Sequence, residues 1–290
     1  MRLSGRHRIV PYLFIAPWIV GFLAFTLFPA TFSLWMSMFD WGIVGDRTFI
    51  GFDNYIRMFG DDTFYLAMSN TVRYALILVP LSVGLSLGLA VLLSRDVRGV
   101  GLFKTAFYLP TLLTGVALAI VWGWILADRG VLNFFIASLG GEPVRWLTDP
   151  GSAMWAMVLT TCFGQGAQML IFLSALKNVP AELYEAATID GAGPFRKFGR
   201  ITLPMIGPAI VFNTIISIIA AFQQITVVLN LTGGGPDKAT YFYSLFVYEN
   251  AFRRGDLGYA ASNAWIMLIA VLVLTLVFLR LSRRWSYYEV

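Results

Sequence analysis

Six stretches of this 290-residue chain, 9–39, 74–94, 105–127, 150–176, 201–236 and 257–279, contain no Asp, Glu, Lys or Arg. Each is longer than the roughly 20 apolar residues a helix needs to cross the hydrocarbon core of a bilayer. Periodicity alone does not separate such runs from deeply buried soluble helices. Six of them, however, leave too little polar sequence to coat a soluble particle. The pattern predicts an all-α integral membrane protein, a single domain over 1–290. Six transmembrane helices are expected at about 9–36, 72–94, 105–127, 151–176, 203–230 and 258–280, with a polar loop at 178–204.

Composition strengthens this reading. Hydrophobic residues make up 58% and charged residues 13% of the chain, against about 25% charged in an ordinary soluble domain. The first run follows a basic start but is uncharged for 31 residues and holds Pro11, Pro17 and Pro29, so it is expected to be a retained span and not a cleaved leader. Cys162 is the only cysteine, which excludes a disulfide framework and a thiolate metal site.

The placement of charge predicts orientation. The N-terminus (Arg2, Arg6, Arg8), the turn with Arg95, Arg98 and Lys104, the loop with Lys177, Arg196, Lys197 and Arg200, and the tail (Arg280, Arg283, Arg284) hold 13 of the 21 basic residues. The three longer loops on the other side hold seven, and Arg73 lies at a span mouth. Basic loops stay in the cytoplasm, so both termini and the 178–204 loop are expected there. Trp35, Trp41, Trp122, Trp124, Trp146 and Trp155 then fall at outer span ends, as an interfacial aromatic belt would. The net charge of +5 reports topology. No basic face with interleaved aromatics occurs outside the cytoplasmic caps, so nucleic acid is not an expected partner.

The inventory argues against an enzyme. His7 is the only histidine and sits in the basic tail, so no Ser-His-Asp or Cys-His arrangement can be assembled in the membrane. A phosphate-cradling GxxxxGK[ST] loop is absent, and Gly233-Gly234-Gly235 before Pro236-Asp237-Lys238 reads as a turn. The expected spans carry no Asp, Glu or His, so neither a metal nor any other cofactor is expected in the chain. Proton-driven carriers commonly place ionisable groups within the membrane. Sodium coupling through backbone carbonyls stays open, but energy supplied by another chain is simpler.

The most informative segment is Glu185 to Pro204. A helix is predicted to begin at Asn178-Val179-Pro180, with Pro at its first helical position, and to stop at Gly191 by a left-handed corner. A second helix restarts at Pro194 and runs into Ile201-Thr202-Leu203-Pro204. A helix, a glycine corner and a second helix on the water side of a bilayer make a rigid knob suited to mechanical coupling.

Glu185-Ala186-Ala187, three residues, Gly191, nine residues and Ile201-Thr202-Leu203-Pro204 resemble the coupling-loop signature of permease subunits in binding-protein-dependent ABC importers. Gly51-Phe52-Asp53-Asn54-Tyr55, Asn70-Thr71 and Leu231-Thr232-Gly233-Gly234-Gly235-Pro236 are similar to the carbohydrate-uptake branch, in its maltose-type or glycerol-phosphate-type first permease. The resemblance runs from about residue 10 to 285. It implies a type I, MetI-like permease fold with a cytoplasmic coupling helix in a bacterial inner membrane. It also implies a second permease subunit, two ATPase subunits that bind ATP and Mg, and a solute-binding protein delivering a sugar. Glu185, Ala186, Ala187, Gly191, Ile201, Leu203 and Pro204 would transmit ATPase closure to the spans. A glycerol-phosphate-type permease and a self-sufficient secondary carrier are the alternatives.

The substrate pathway is expected on the spans bracketing the elbow, which the family uses to line its cavity. Amides and hydroxyls suited to sugar hydroxyls are Thr160, Thr161, Gln165 and Gln168 on one, with Gly164, and Asn213, Ser217, Gln223, Gln224 and Thr226 on the other. Thr160, Gly164, Ser217 and Gln224 fall in register with the family's substrate-facing positions, while Ala167 and Ala221 depart from it. Gln224 is the leading candidate, because Gln223-Gln224 puts two amides deep in an apolar span. Trp265 could stack on a sugar ring or pack against lipid. Polar side chains in spans also serve as helix–helix hydrogen-bond glue, and that reading stays open for each of them. Pro80 and Pro110 are expected to interrupt the second and third spans.

Overall fold

Uncharged runs in lipid can satisfy their backbone only as helices, and the computed structural model is helical almost throughout. It describes residues 5–95, 98–113 and 115–282, with side chains from Phe14 onward. Arg2, Arg283 and Arg284 lie outside the described residues, as do the side chains of Arg6, His7 and Arg8. Helix α1 (Gly5–Phe22) passes through a π turn (Leu23–Leu27) into α2 (Phe28–Met36). A hairpin, β1 (Phe39–Asp40) and β2 (Thr48–Phe49), precedes α3 (Asp53–Phe59), α4 (Asp62–Leu93), α5 (Val100–Tyr108), a 3-10 turn (Leu109–Leu112), α6 (Gly115–Ile125) and α7 (Val131–Ser138). Then come α8 (Pro150–Phe163), α9 (Gly166–Lys177), α10 (Ala181–Ile189), α11 (Pro194–Lys197), α12 (Leu203–Met205), α13 (Gly207–Phe222), α14 (Thr226–Leu231), α15 (Tyr243–Tyr248) and α16 (Leu257–Ser282).

Among the described residues, Phe14–Met36, Asp62–Leu93 and Leu257–Ser282 are each long and apolar enough to cross a membrane alone. Three bent pairs, Val100–Leu112 with Gly115–Ile125, Pro150–Phe163 with Gly166–Lys177, and Pro194–Met205 with Gly207–Phe222, bring the number to six when each pair is one crossing. The second span begins ten residues before the expected 72, because Arg73 ends a charge-free run without ending a helix. Pro80 lies inside α4, which continues through it; neighbouring helices let a membrane helix tolerate the lost hydrogen bond. Pro110 does mark a change, in the 3-10 turn before α6. The expected 203–230 span is divided into α12, α13 and α14.

The chain forms two compact units, one reaching to Asp61 and including Val247–Ile266, the other comprising Asp62–Phe246 and the chain from Met267. In the first, β1 and β2 pair antiparallel with Phe39 opposite Phe49. Trp35, Phe39 and Trp41 pack ring on ring, and the Arg47 guanidinium sits 3.9 Å from the Trp41 ring centre. Trp41 is therefore buried inside this unit, whereas Trp35, Trp124 and Trp155 are exposed. Buried Asn54 donates to the carbonyls of Ser37 and Phe39, both at 2.9 Å. Gly258, at the start of α16, packs so tightly that a Cβ there would collide with the Phe39 carbonyl.

In the second unit α4 is the axis. Its buried residues Ala67, Thr71, Tyr74, Leu78, Ser82, Ser86, Ala90 and Leu93 recur every three or four positions and face α8, α9 and α13. Ala90 and Leu93 join Met169, Phe172 and Leu173 in an apolar cluster. The loop beyond α6 is held by Asn133, a buried amide. Its Nδ2 donates to the carbonyls of Asp128 (3.1 Å) and Val144 (2.8 Å), and its Oδ1 accepts from Val144 N and Trp146 Nε1. Asn133→Ala leaves these groups unpaired and is expected to lower stability by roughly 1–3 kcal/mol, read as a fall in the thermal midpoint of the detergent-solubilised protein.

Candidate functional site

The elbow is built by local chain chemistry. Pro180 has φ −58° but ψ +130°, so it is the N-cap of α10 and not its first helical residue, one position earlier than expected. At the far end Gly191 adopts φ +71°. Its N–H donates to the Thr188 carbonyl at 3.0 Å, and Ala192 N–H donates to the Ala187 carbonyl at 2.8 Å. This paired pattern is a Schellman cap, which satisfies the last carbonyls of the helix. Pro194 then starts α11, where its fixed φ suits the first helical turn.

Two side-chain bonds brace the corner. Lys197 Nζ donates to Thr188 Oγ1 at 2.7 Å, joining the arms, and Tyr184 OH and Thr202 Oγ1 share a hydrogen bond at 2.9 Å. Glu182, Glu185, Ala186 and Ile189 form one exposed stripe along α10, while Ala187 is half-buried beneath. Ile201, Leu203 and Pro204 are half-buried where the elbow runs into α13. Ile189 is 88% and Phe195 92% exposed. Burying each against another protein is worth roughly 1.5–3 kcal/mol. Neither stood out in the sequence reading; the available signal was a large apolar residue inside an otherwise polar loop.

A second constellation lies where two helices are interrupted. Helix α8 ends at Phe163 and α9 starts at Gly166 after a 52° bend, while α13 ends at Phe222 and α14 starts at Thr226. Gln223 and Gln224 thus sit at a helix end and not deep within a continuous span. The two breaks meet: Gln224 Nε2 donates to Thr161 Oγ1 at 3.2 Å, and Thr161 Oγ1 also bonds Tyr74 OH at 2.8 Å. The Gln224 carbonyl accepts from Ser244 Oγ at 2.8 Å, and the Tyr74 ring stacks on Phe242 with centroids 4.6 Å apart. Tyr74 was missed because nothing in its neighbourhood in α4 marks it. Interrupted membrane helices expose backbone polar groups toward a cavity, and here amides, hydroxyls and an aromatic ring gather without a charged side chain.

The remaining sequence candidates are placed differently. Gly164 is the C-cap of α8 and lies at the bend, and Gln223 is exposed. Thr160, Gln168 and Ser217 are buried; Thr160 Oγ1 donates to the Ala156 carbonyl, and Gln168 meets Ser217. Trp265 is half-buried on α16, in the first unit. Asn70 and Thr71 hold the loop after the triple glycine: Asn70 Nδ2 donates to the Lys238 carbonyl at 2.8 Å, and Tyr243 N–H donates to Thr71 Oγ1 at 2.8 Å.

Comparison with known proteins agrees with this architecture. The chain is 37% identical over 293 residues to a probable ABC transporter permease protein, YesP, of Bacillus subtilis, covering 99% of this chain and 95% of that protein. It is 36% identical to the lactose transport system permease protein LacF of Rhizobium radiobacter, covering 94% of each. A solved bacterial alginate ABC transporter, in complex with an alginate pentasaccharide-bound periplasmic protein, contains a chain with the same fold, with a TM-score of 0.82, 22% identity and 98% of each chain covered. Residues 81–287 match the family described as binding-protein-dependent transport system inner membrane component. With most of its length matched and its helices arranged as in a solved transporter, the chain belongs to that family of multi-pass membrane transport components.

Proposed function

We propose that this chain is one permease subunit of an ATP-driven importer for a neutral sugar, forming half of a pore with a second permease subunit. The observation that carries the reading is the elbow: a braced, Schellman-capped corner with Glu185, Ile189 and Phe195 exposed on it. In this reading both termini and the elbow are cytoplasmic, and ATP and Mg are bound by two partner ATPase subunits. Closure of those subunits pushes on Glu185, Ala186 and the Gly191 corner. Ala187, Ile201, Leu203 and Pro204 pass the displacement to the spans, which tilt and open the pathway alternately to each side. A solute-binding protein supplies the sugar from outside.

The sugar assignment is supported by the lactose transport system permease protein among the similar proteins. The meeting of the two breaks adds physical support, since Gln224 and Thr161 offer donors and acceptors that a sugar uses, with buried Tyr74 bracing Thr161 from behind. Gln223 and Gly164 are further proposed contacts, whereas Thr160, Gln168 and Ser217 are buried against their own or other helices and are not proposed as contacts. An uncharged site favours a neutral sugar over a polyol-phosphate, whose charge would need a cationic partner.

The test is ATP hydrolysis by the co-purified complex in liposomes, with its binding protein, across a panel of neutral sugars and glycerol phosphate. Stimulation by a neutral sugar alone is expected. Stimulation by glycerol phosphate alone contradicts the substrate class, and transport by the chain without ATPase partners contradicts the importer reading.

A further inference from the structure

Helix α9 leads into the elbow and α13 leaves it, and one buried side chain ties both to α4. Gln168 on α9 donates from Nε2 to Ser217 Oγ on α13 at 2.7 Å and accepts at Oε1 from Ser86 Oγ on α4 at 3.4 Å. Ser82 on α4 and Ser217 share a bond at 3.4 Å, and Asn213 Nδ2 on α13 donates to the Gln168 carbonyl at 3.4 Å. All five residues are buried.

The serines do not need this arrangement. Ser217 Oγ accepts from Gln168 while donating to the Asn213 carbonyl of its own helix, and the single hydroxyl hydrogens of Ser86 and Ser82 are each divided between a carbonyl of α4, that of Ser82 or Val79, and the partner on the facing helix. The Gln168 amide has no such local partner and is satisfied through two other helices. Toward the elbow the same helices meet through Ala90, Leu93, Met169, Phe172 and Leu173, with Ala209 and Ile210 packed against them. Apolar contacts hold helices together without direction, whereas a buried hydrogen bond fixes their register.

We propose that Gln168 is a positioning residue, a register pin that makes α4, α9 and α13 move as one body when the elbow is displaced. What displaces the elbow rests on the importer reading above; the pin itself does not.

The pin is tested in the assembled complex in nanodiscs, with spin labels at Ser174→Cys on α9 and Phe212→Cys on α13 in a Cys162→Ala background. Both label sites are exposed. Pulsed-EPR distances are measured without nucleotide and with ATP plus vanadate. One narrow distance in both states is expected with Gln168 present. Gln168→Met, close in volume, is expected to broaden the distribution roughly twofold and to lower the sugar carried per ATP about fivefold. Half-saturation for lactose or maltose, whichever the unmodified complex carries, stays unchanged, because the pin is not a solute contact.

A distribution that stays narrow in Gln168→Met overturns the pin. So does a half-saturation that rises about tenfold at unchanged sugar per ATP, which assigns Gln168 to solute contact. If Gln168→Met fails to assemble, Ser217→Ala removes the arm between α9 and α13, and it must broaden the distance or the pin is wrong. A complex with Gln168 intact that burns ATP and moves none of the sugars of the panel overturns the importer reading, while the distances judge the pin separately.

Discussion

Gly191→Pro abolishes ATP-driven uptake while leaving the spans folded. Gly191 sits at φ +71° and its N–H donates to the Thr188 carbonyl. Proline is locked near −65° and has no N–H, so the corner cannot form, at a cost of about 3 kcal/mol or more. That much lost alignment corresponds to roughly a 100-fold or greater fall in rate if the corner must be intact for the push to reach α13. Gly191→Ala is expected to be milder. A Cβ at this position meets nothing within 4 Å, so its penalty is only the roughly 1–2 kcal/mol of left-handed backbone. Gly191→Asn should lie closest to the unmodified protein. The check is uptake into vesicles normalised to the amount of ATPase subunit co-purifying with each variant. Full uptake by the proline variant at normal assembly would remove the elbow from the mechanism.

Gln224→Leu raises the half-saturation for sugar without disturbing assembly. Its amide lies between the two helix breaks, bonded to Thr161 Oγ1 and close to Tyr74 through that hydroxyl. One hydrogen bond to a neutral partner is worth about 0.5–1.5 kcal/mol net, so loss of one solute contact predicts up to roughly a tenfold rise. Tyr74→Phe, which keeps the ring on Phe242 and removes only the hydroxyl, is expected to give a smaller rise. The measurement is sugar-stimulated ATP hydrolysis as a function of sugar concentration in the reconstituted complex. A Gln224→Leu curve that overlays the unmodified one would exclude Gln224 from the pathway.

The parts of this molecule that were legible beforehand are those set by local chemistry. Long uncharged runs must become helices in lipid, and Pro194 and Gly191 mark the start and end of elbow helices through constraints on their own backbone. What escaped is set by tertiary packing. Arg73 interrupts a charge-free run but not a helix, because α4 extends beyond the apolar run to Asp62. Pro80 stays inside that helix, while the breaks at Gly164-Gln165 and Gln223-Gln224 fall on residues that nothing local forbids from being helical. Trp41 has the composition of a membrane-interface residue, yet the hairpin and α2 enclose it. Gln168 and Ser217 look from spacing like solute contacts, and only the approach of α4 reveals that they face other helices.

Disulfide cross-linking from Ile189→Cys, in a Cys162→Ala background, to engineered cysteines around the elbow-binding cleft of the ATPase subunit is the most direct measurement. A cross-link in the assembled complex that halts uptake, released by reductant, is the expected result. No cross-link from any cleft position, or labelling of Ile189→Cys by an impermeant thiol reagent added outside intact cells, would contradict a cytoplasmic elbow moved by the motor subunits.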